Sequence, residues 1–196
     1  MLNTLLGKST NIESALKKGP KLRSLELIYP TYDLSAYRDE FENFTNLSEL
    51  TIQVSIDYAF DLPKELGELN NLRKLQIINY PFNEISSWVF KLQNLRNLLL
   101  RGNDITKIPD EIHQLKKLKH LRIENTALSS VSESLSSLDN LKTLSLVDNF
   151  RLEKINPNSL PKNLKWLALK PSGIPREQVD KLIMAMPGLK NKRYYK

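Results

Sequence analysis

Residues 95–117 read LRNLLLRGNDITKIPDEIHQLKK, and at Leu118 the same pattern starts again. Leu95, Leu98 and Leu100 open the unit, Asn103 and Ile105 follow, and Ile108-Pro109, Ile112 and Leu115 close it. The opening is repeated from Leu22, Leu47, Leu72, Leu95, Leu118, Leu141 and Leu164, at intervals of 25, 25, 23, 23, 23 and 23 residues. Places one, four and six are apolar and the places between are polar, so the spacing predicts a short strand with one buried face. Later apolar residues, such as Ile108, Ile112 and Leu115 or Val131, Leu135 and Leu138, have helical or 3₁₀ spacing and predict a return segment. A lone unit of this size cannot cover its leucines. Stacked units can, and burying each Leu contributes roughly 1.5–3 kcal/mol. The chain therefore reads as one elongated domain without an internal boundary.

The signature L-x-x-L-x-L-x-x-N-x-L at this period resembles that of the leucine-rich repeat proteins, of bacterial type. The resemblance covers roughly residues 20–190. It implies an α/β fold: a right-handed solenoid with a parallel concave sheet inside and short helices or 3₁₀ turns outside. Residues 1–21 then form an N-terminal helical cap, 22–174 the seven repeats, and 175–196 a C-terminal cap helix and edge strand. In the first cap, Asn11 begins a short helix with Ile12, Ala15 and Leu16 at helical spacing, ended by Gly19-Pro20. In the second, Val179, Leu182, Ile183 and Met186 form one stripe over 176–186, and Pro187-Gly188 stops it. The basic tail from Leu189 to Lys196 reads as an edge strand whose charges discourage further pairing.

The resemblance also implies an asparagine ladder nine places into each repeat. Only Asn103 and Asn149 stand there; Ser55, Thr126 and Ser172 are partial substitutes, and Pro30 and Tyr80 are none. Asn79 and Asn125 fall one residue early. A less regular first half is the expectation.

Composition narrows the chemistry. The chain of 196 residues has no cysteine, which excludes disulfides, thiolate zinc sites and thiol nucleophiles. No glycine-rich phosphate loop, G-x-S-x-G or H-E-x-x-H motif occurs, and His113 and His120 fall on different sides of the repeat. The expectation is a protein without enzymatic activity, cofactor or metal. Acidic pairs Asp39-Glu40 and Asp110-Glu111 are expected to begin return segments, where the helix dipole favours them. No apolar run approaches membrane-spanning length, and residues 1–8 are too polar for the apolar stretch of an export signal. The compartment stays open: cytoplasmic if the chain is whole, cell surface or secreted if an export signal has been removed from it.

Charge is uneven. Residues 1–100 hold 11 Lys/Arg against 12 Asp/Glu, and residues 101–196 hold 18 against 10, which yields a net +7. The C-terminal excess either favours an acidic partner or keeps a stacked sheet soluble. What the resemblance implies is a monomeric recognition module that holds a protein partner on its concave face. Strand alternation turns Lys74, Ile78, Leu99, Arg101, His120, Arg122, Val147, Trp166 and Lys170 toward that face, and the loop residues Tyr80 and Phe150 extend it. Ile78, Leu99, Val147 and Trp166 are apolar where the pattern expects solvent, and Trp beside Arg is typical of interface centres. The alternative is a polyanion along one rim: nucleic acid, anionic glycan or membrane surface. Place two of the seven repeats is Arg23, Ser48, Arg73, Arg96, Lys119, Lys142 and Lys165, a column of cations. L-K-x-L and L-R-x-L are also ordinary spellings of this repeat, and the absence of interleaved aromatics disfavours single-stranded nucleic acid.

Overall fold

The computed structural model describes residues 7–55 and 61–190. Among the described residues there are ten strands, one in the expected N-terminal cap, β1 (Lys8–Ser9), and nine within the predicted repeats: β2 (Ser24–Ile28), β3 (Glu49–Gln53), β4 (Lys74–Ile78), β5 (Asn97–Arg101), β6 (Lys107–Ile108), β7 (His120–Glu124), β8 (Ser130–Val131), β9 (Thr143–Ser145) and β10 (Trp166–Ala168). One parallel sheet runs β1-β2-β3-β4-β5-β7-β9-β10, and β6 pairs with β8 apart from it. Pairing is in register, so Leu25, Leu50, Leu75, Leu98, Leu121, Leu144 and Leu167 form one continuous column. The apolar residues at places one, four and six of all seven repeats are at most 1% exposed. They form a shared core with the return segments.

Those return segments are 3₁₀ turns: Leu34–Asn43, Lys64–Glu68, Ser87–Lys91, Asp110–Gln114, Glu133–Ser137 and Pro157–Ser159. With so few residues to bring the chain back, i→i+3 bonds such as Ile112 N to Pro109 O (3.2 Å) close each turn. Asp110-Glu111 begins its segment as expected. Asp39-Glu40 does not. Asp33 caps that segment through the Ser35 amide, and the acidic pair falls in its second half.

Two helices flank the repeats. Helix α1 (Ile12–Lys18) is capped by Asn11, whose side chain accepts the Ser14 amide, and it buries Ile12 and Ala15. Helix α2 (Arg176–Ala185) buries Val179 and Leu182 and ends at Met186. Beyond it, the Lys190 amide donates to Lys165 O (2.8 Å) and Leu189 is 4% exposed. Leu189 thus occupies the opening place of a further turn; the rest of the expected edge strand lies outside the described residues.

Two hydrogen-bond ladders stack the turns. The place-two carbonyl accepts two amides from the next repeat: Arg23 O from Ser48 and Glu49, and likewise at Ser48, Arg73, Arg96, Lys119 and Lys142. A second ladder uses the Asn just before the opening Leu. Asn46 Nδ2 donates to Pro20 O (2.9 Å), Asn71 to Thr45 O (2.6 Å), Asn94 to Asn70 O (2.8 Å), Asn140 to Lys116 O (2.9 Å) and Asn163 to Asp139 O (3.4 Å). The recurring Asn-Leu dipeptide is its sequence signal.

At the ninth place, Asn149 donates to Ile123 O (2.7 Å) and Leu146 O (2.9 Å) and accepts from Thr126 N (3.1 Å) and Oγ1 (2.6 Å). Asn103 makes only the bond to Tyr80 O (2.7 Å), and its buried Oδ1 has no partner among the described residues. The early asparagines have another task. Tyr29, Asn79, Gly102, Asn125 and Asp148, all eighth in their repeats, have φ between 50° and 66°, where the chain leaves the strand. Asn, Asp and Gly tolerate this left-handed conformation best.

Candidate recognition face

The solvent side of the sheet carries three rows of side chains. The first is Ser24, Glu49, Lys74, Asn97, His120, Thr143 and Trp166. The second is Glu26, Thr51, Gln76, Leu99, Arg122, Ser145 and Ala168. The third is Ile28, Gln53, Ile78, Arg101 and Glu124. Within each row neighbours differ in chemistry, so cross-strand pairs satisfy one another. Lys74 lies 3.7 Å from Glu49, Lys8 lies 2.9 Å from Glu26, and Thr51 Oγ1 donates to Gln76 Oε1 (3.1 Å).

The strongest of these contacts joins β7 to β9. Arg122 donates to Glu124 through Nε and Nη2, both at 2.9 Å, and Ser145 Oγ donates to Glu124 Oε1 (2.6 Å). Glu124 is only 7% exposed. Burial pushes its carboxyl up, but the bonds from Arg122 and Ser145 and the charges of Arg122 and Arg101 outweigh that and hold it below the usual glutamate value. Arg122 and Glu124 are two residues apart on β7 and therefore share a face, which fixes the guanidinium in place.

The structure gathers Lys74, Leu99, His120 and Arg122 around one depression of about 440 Å³, with Gln76, Asn97 and Thr143 completing its lining. Leu99 is not the exposed apolar residue that alternation suggested. It is 8% exposed, because Gln76 and Arg122 stand on either side of it in the row, and it forms part of the floor. Trp166 pairs with Thr143 at the margin and is 47% exposed. Arg101 is exposed between Ile78 and Glu124, and its side chain has no ion pair or hydrogen bond among the described residues. Val147 is half-buried just past β9, and Lys170 Nζ is tied to Ile174 O (3.1 Å).

Two of the expected residues stand apart. Tyr80 is half-buried, packs on Phe82 with ring centroids 5.1 Å apart, and joins the core margin. Burial raises its hydroxyl pKa against an opposing hydrogen bond with the Leu62 backbone. Phe150, 65% exposed, borders a separate depression of about 400 Å³ with Asp104, Asn125, Asp148 and Arg151. Gln76, Asn97, Thr143 and Ser145 also belong to this face and were not among the expected site residues, although strand alternation places them there. The Arg122-x-Glu124 spacing was the signal for the clamp.

His113 is on the outer side, its Nδ1 2.7 Å from Asp110 O, and His120 is on the sheet face. Among the described residues no group of three or more His, Cys, Asp or Glu could hold a metal ion. No described helix is long and apolar enough to cross a membrane.

Solved structures share this architecture. A leucine-rich repeat protein of Leptospira interrogans aligns over 92% of this chain and 57% of its own, with TM-score 0.66 and 19% identity. An internalin (inlF) from Listeria monocytogenes aligns over 92% of this chain and 56% of its own, with TM-score 0.69 and 21% identity. Internalin C2 from the same organism aligns over 95% and 81%, with TM-score 0.67 and 22% identity. The chain thus spans little more than half the length of the first two. No curated protein sequence matches it. The profile described as "Leucine-rich repeat region" matches residues 21–185, and with the repeats, the parallel sheet and these neighbours in agreement, the chain belongs to the leucine-rich repeat family.

Proposed function

We propose that the protein is a non-catalytic recognition module that holds a protein partner against its concave face. Solenoids of this kind present an extended concave surface suited to binding. The observation that carries the reading is the build of the face around β5 and β7: an Arg122 guanidinium clamped by buried Glu124, beside an exposed Arg101 whose side chain makes no hydrogen bond or close ion pair among the described residues. A fixed cation next to a free one, with a Leu99 floor and a half-exposed Trp166, is how interface anchors are made. Lys74 and His120 border the depression, and Ile78, Val147 and Lys170, which do not line it, complete the proposed face. The partner presents acidic side chains to Arg101 and apolar ones to Trp166, and the module works as a monomer. Tyr80 and Phe150 belong to the periphery of this reading.

Removing an anchor weakens an interface by about 2 kcal/mol or more. Arg101→Glu with Trp166→Ala should therefore abolish capture of the partner that the wild-type protein retains, with an unchanged circular dichroism spectrum. Retention of that partner by the folded double variant would refute the concave-face site.

A further inference from the structure

We propose that the edge of the sheet at the N-terminal ends of its strands is a binding track for a linear anionic polysaccharide. Six of its seven place-two residues are cations: Arg23, Arg73, Arg96, Lys119, Lys142 and Lys165. Their positions are fixed by the backbone, since the carbonyl of each of the first six place-two residues accepts the amides of places two and three in the next repeat. The column therefore advances by about 4.8 Å per strand, on the order of 30 Å in all. Lys21, Lys116, Lys117, Lys162 and Lys190 widen it, and Asp139 is the single acid at the two places before each opening leucine or at place two.

Two observations bear on this column. First, none of its six cations forms an ion pair among the described residues, as is also true of Arg101 on the sheet face, whereas Lys8, Lys74 and Arg122 there each meet a carboxylate. Like charges held opposite one another on adjacent strands repel, so the column is a standing demand for an external polyanion. Second, a row of amide oxygens runs alongside. Asn46, Asn71, Asn140 and Asn163 spend Nδ2 on the stacking ladder, and their Oδ1 atoms accept no hydrogen bond among the described residues, while at the centre of the row Asn94 Oδ1 accepts from Lys117 Nζ (2.6 Å). A cation column beside an acceptor row fits a polymer that carries both anionic groups and hydroxyl donors. Single-stranded nucleic acid would call for stacking aromatics, and a lipid surface for apolar side chains that insert. None of the residues at these places is aromatic or a large aliphatic.

A heparin oligosaccharide is the probe, titrated against the whole chain over a series of salt concentrations. Binding should fall steeply with salt. Arg96→Glu with Lys119→Glu, both exposed and central in the column, should weaken it on the order of tenfold and flatten the salt dependence. Lys64→Glu with Lys154→Glu makes the same change of charge on the return side, where both lysines are exposed, and should leave affinity nearly unchanged, both pairs keeping the native circular dichroism spectrum. Equal losses for the two pairs would mean that net charge alone binds heparin, and would overturn the track. Inorganic polyphosphate of matched charge, a double-stranded oligonucleotide and phosphatidylserine-containing vesicles should all bind more weakly than heparin. If any of them binds as tightly, the polysaccharide assignment fails.

Discussion

Asn103 and Asn149 hold the same place in their repeats, are both buried, and should differ sharply in what they contribute to stability. Asn149 makes four short bonds, to Ile123 O, Leu146 O, Thr126 N and Thr126 Oγ1. Asn149→Ala would leave an amide, a hydroxyl and two carbonyls in a site closed to solvent. Each buried group left unpaired costs about 1–3 kcal/mol, and readmitted water offsets part of the sum, so the expected loss is about 3–4 kcal/mol. Asn103 donates once, to Tyr80 O, and carries an Oδ1 without a partner among the described residues. Asn103→Ala removes one bond together with one unpaired atom, a net loss of about 0–1 kcal/mol beyond the shared cavity. For a chain of this size, 1 kcal/mol moves the melting temperature by about 2–4 °C, so a difference of about 2–4 kcal/mol should separate the two variants by about 4–16 °C. Urea midpoints at fixed m-value give the same comparison at 25 °C. The difference traces to the residue one repeat earlier, where Thr126 answers Asn149 and Tyr80 faces Asn103. A double-mutant cycle with Tyr80→Thr should increase the Asn103 contribution. Equal losses for the two alanine variants, or a larger one at Asn103, would refute the reasoning.

Two further outcomes follow from the same geometry. Glu124 has a folded pKa below its ordinary 4.5, so it contributes stability that is fully present above that value and is lost as pH falls through the lower folded one. Urea midpoints of wild type and Glu124→Gln should therefore differ most near neutrality and converge in acid, and a gap that is flat with pH would contradict the clamp. At Gly102, with φ of +66°, an added Cβ would sit 2.3 Å from Asn79 Oδ1, so Gly102→Ala should destabilise by about 1–3 kcal/mol in the same assay, and an unchanged midpoint would contradict it.

The sequence carried the stack almost in full because its signal is collective. Seven in-phase leucine triplets leave one way to bury them all, and a single odd residue cannot shift the register. Single places were harder to read. Asn79 and Asn125 look like ladder residues out of step, yet the φ > 0 that Asn tolerates is a property of one backbone position and has no hydrophobic signature. Leu99 reads as exposed from alternation alone; its cover comes from Gln76 and Arg122, residues 23 places away on either side, and depends on how long those side chains are. Tyr80 reads as a loop aromatic near the face, whereas the loop directs it to the core margin and the Leu62 backbone. Strand alternation decides which side of a sheet a residue takes. It is silent on what its neighbours do once they are there.

In a parallel, in-register stack, place k of one repeat lies against place k of the next, so a residue type kept at one place becomes a column of like neighbours. For leucine that column is the core, and for asparagine it is a hydrogen-bond ladder, so repetition stabilises both. The sheet-face rows are the reverse: Glu49 beside Lys74, Arg122 beside Ser145 and Thr143 beside Trp166 vary from turn to turn, and variation lets neighbours pair. Place two breaks this division. It repeats like a structural place, but repeated cations repel, and its stacking is carried by backbone amides that any side chain would permit. Backbone stacking gives no reason for six cations in one column. Solubility of the stacked sheet and an external ligand are the two accounts left, and only the second makes heparin affinity depend on where the charge is reversed.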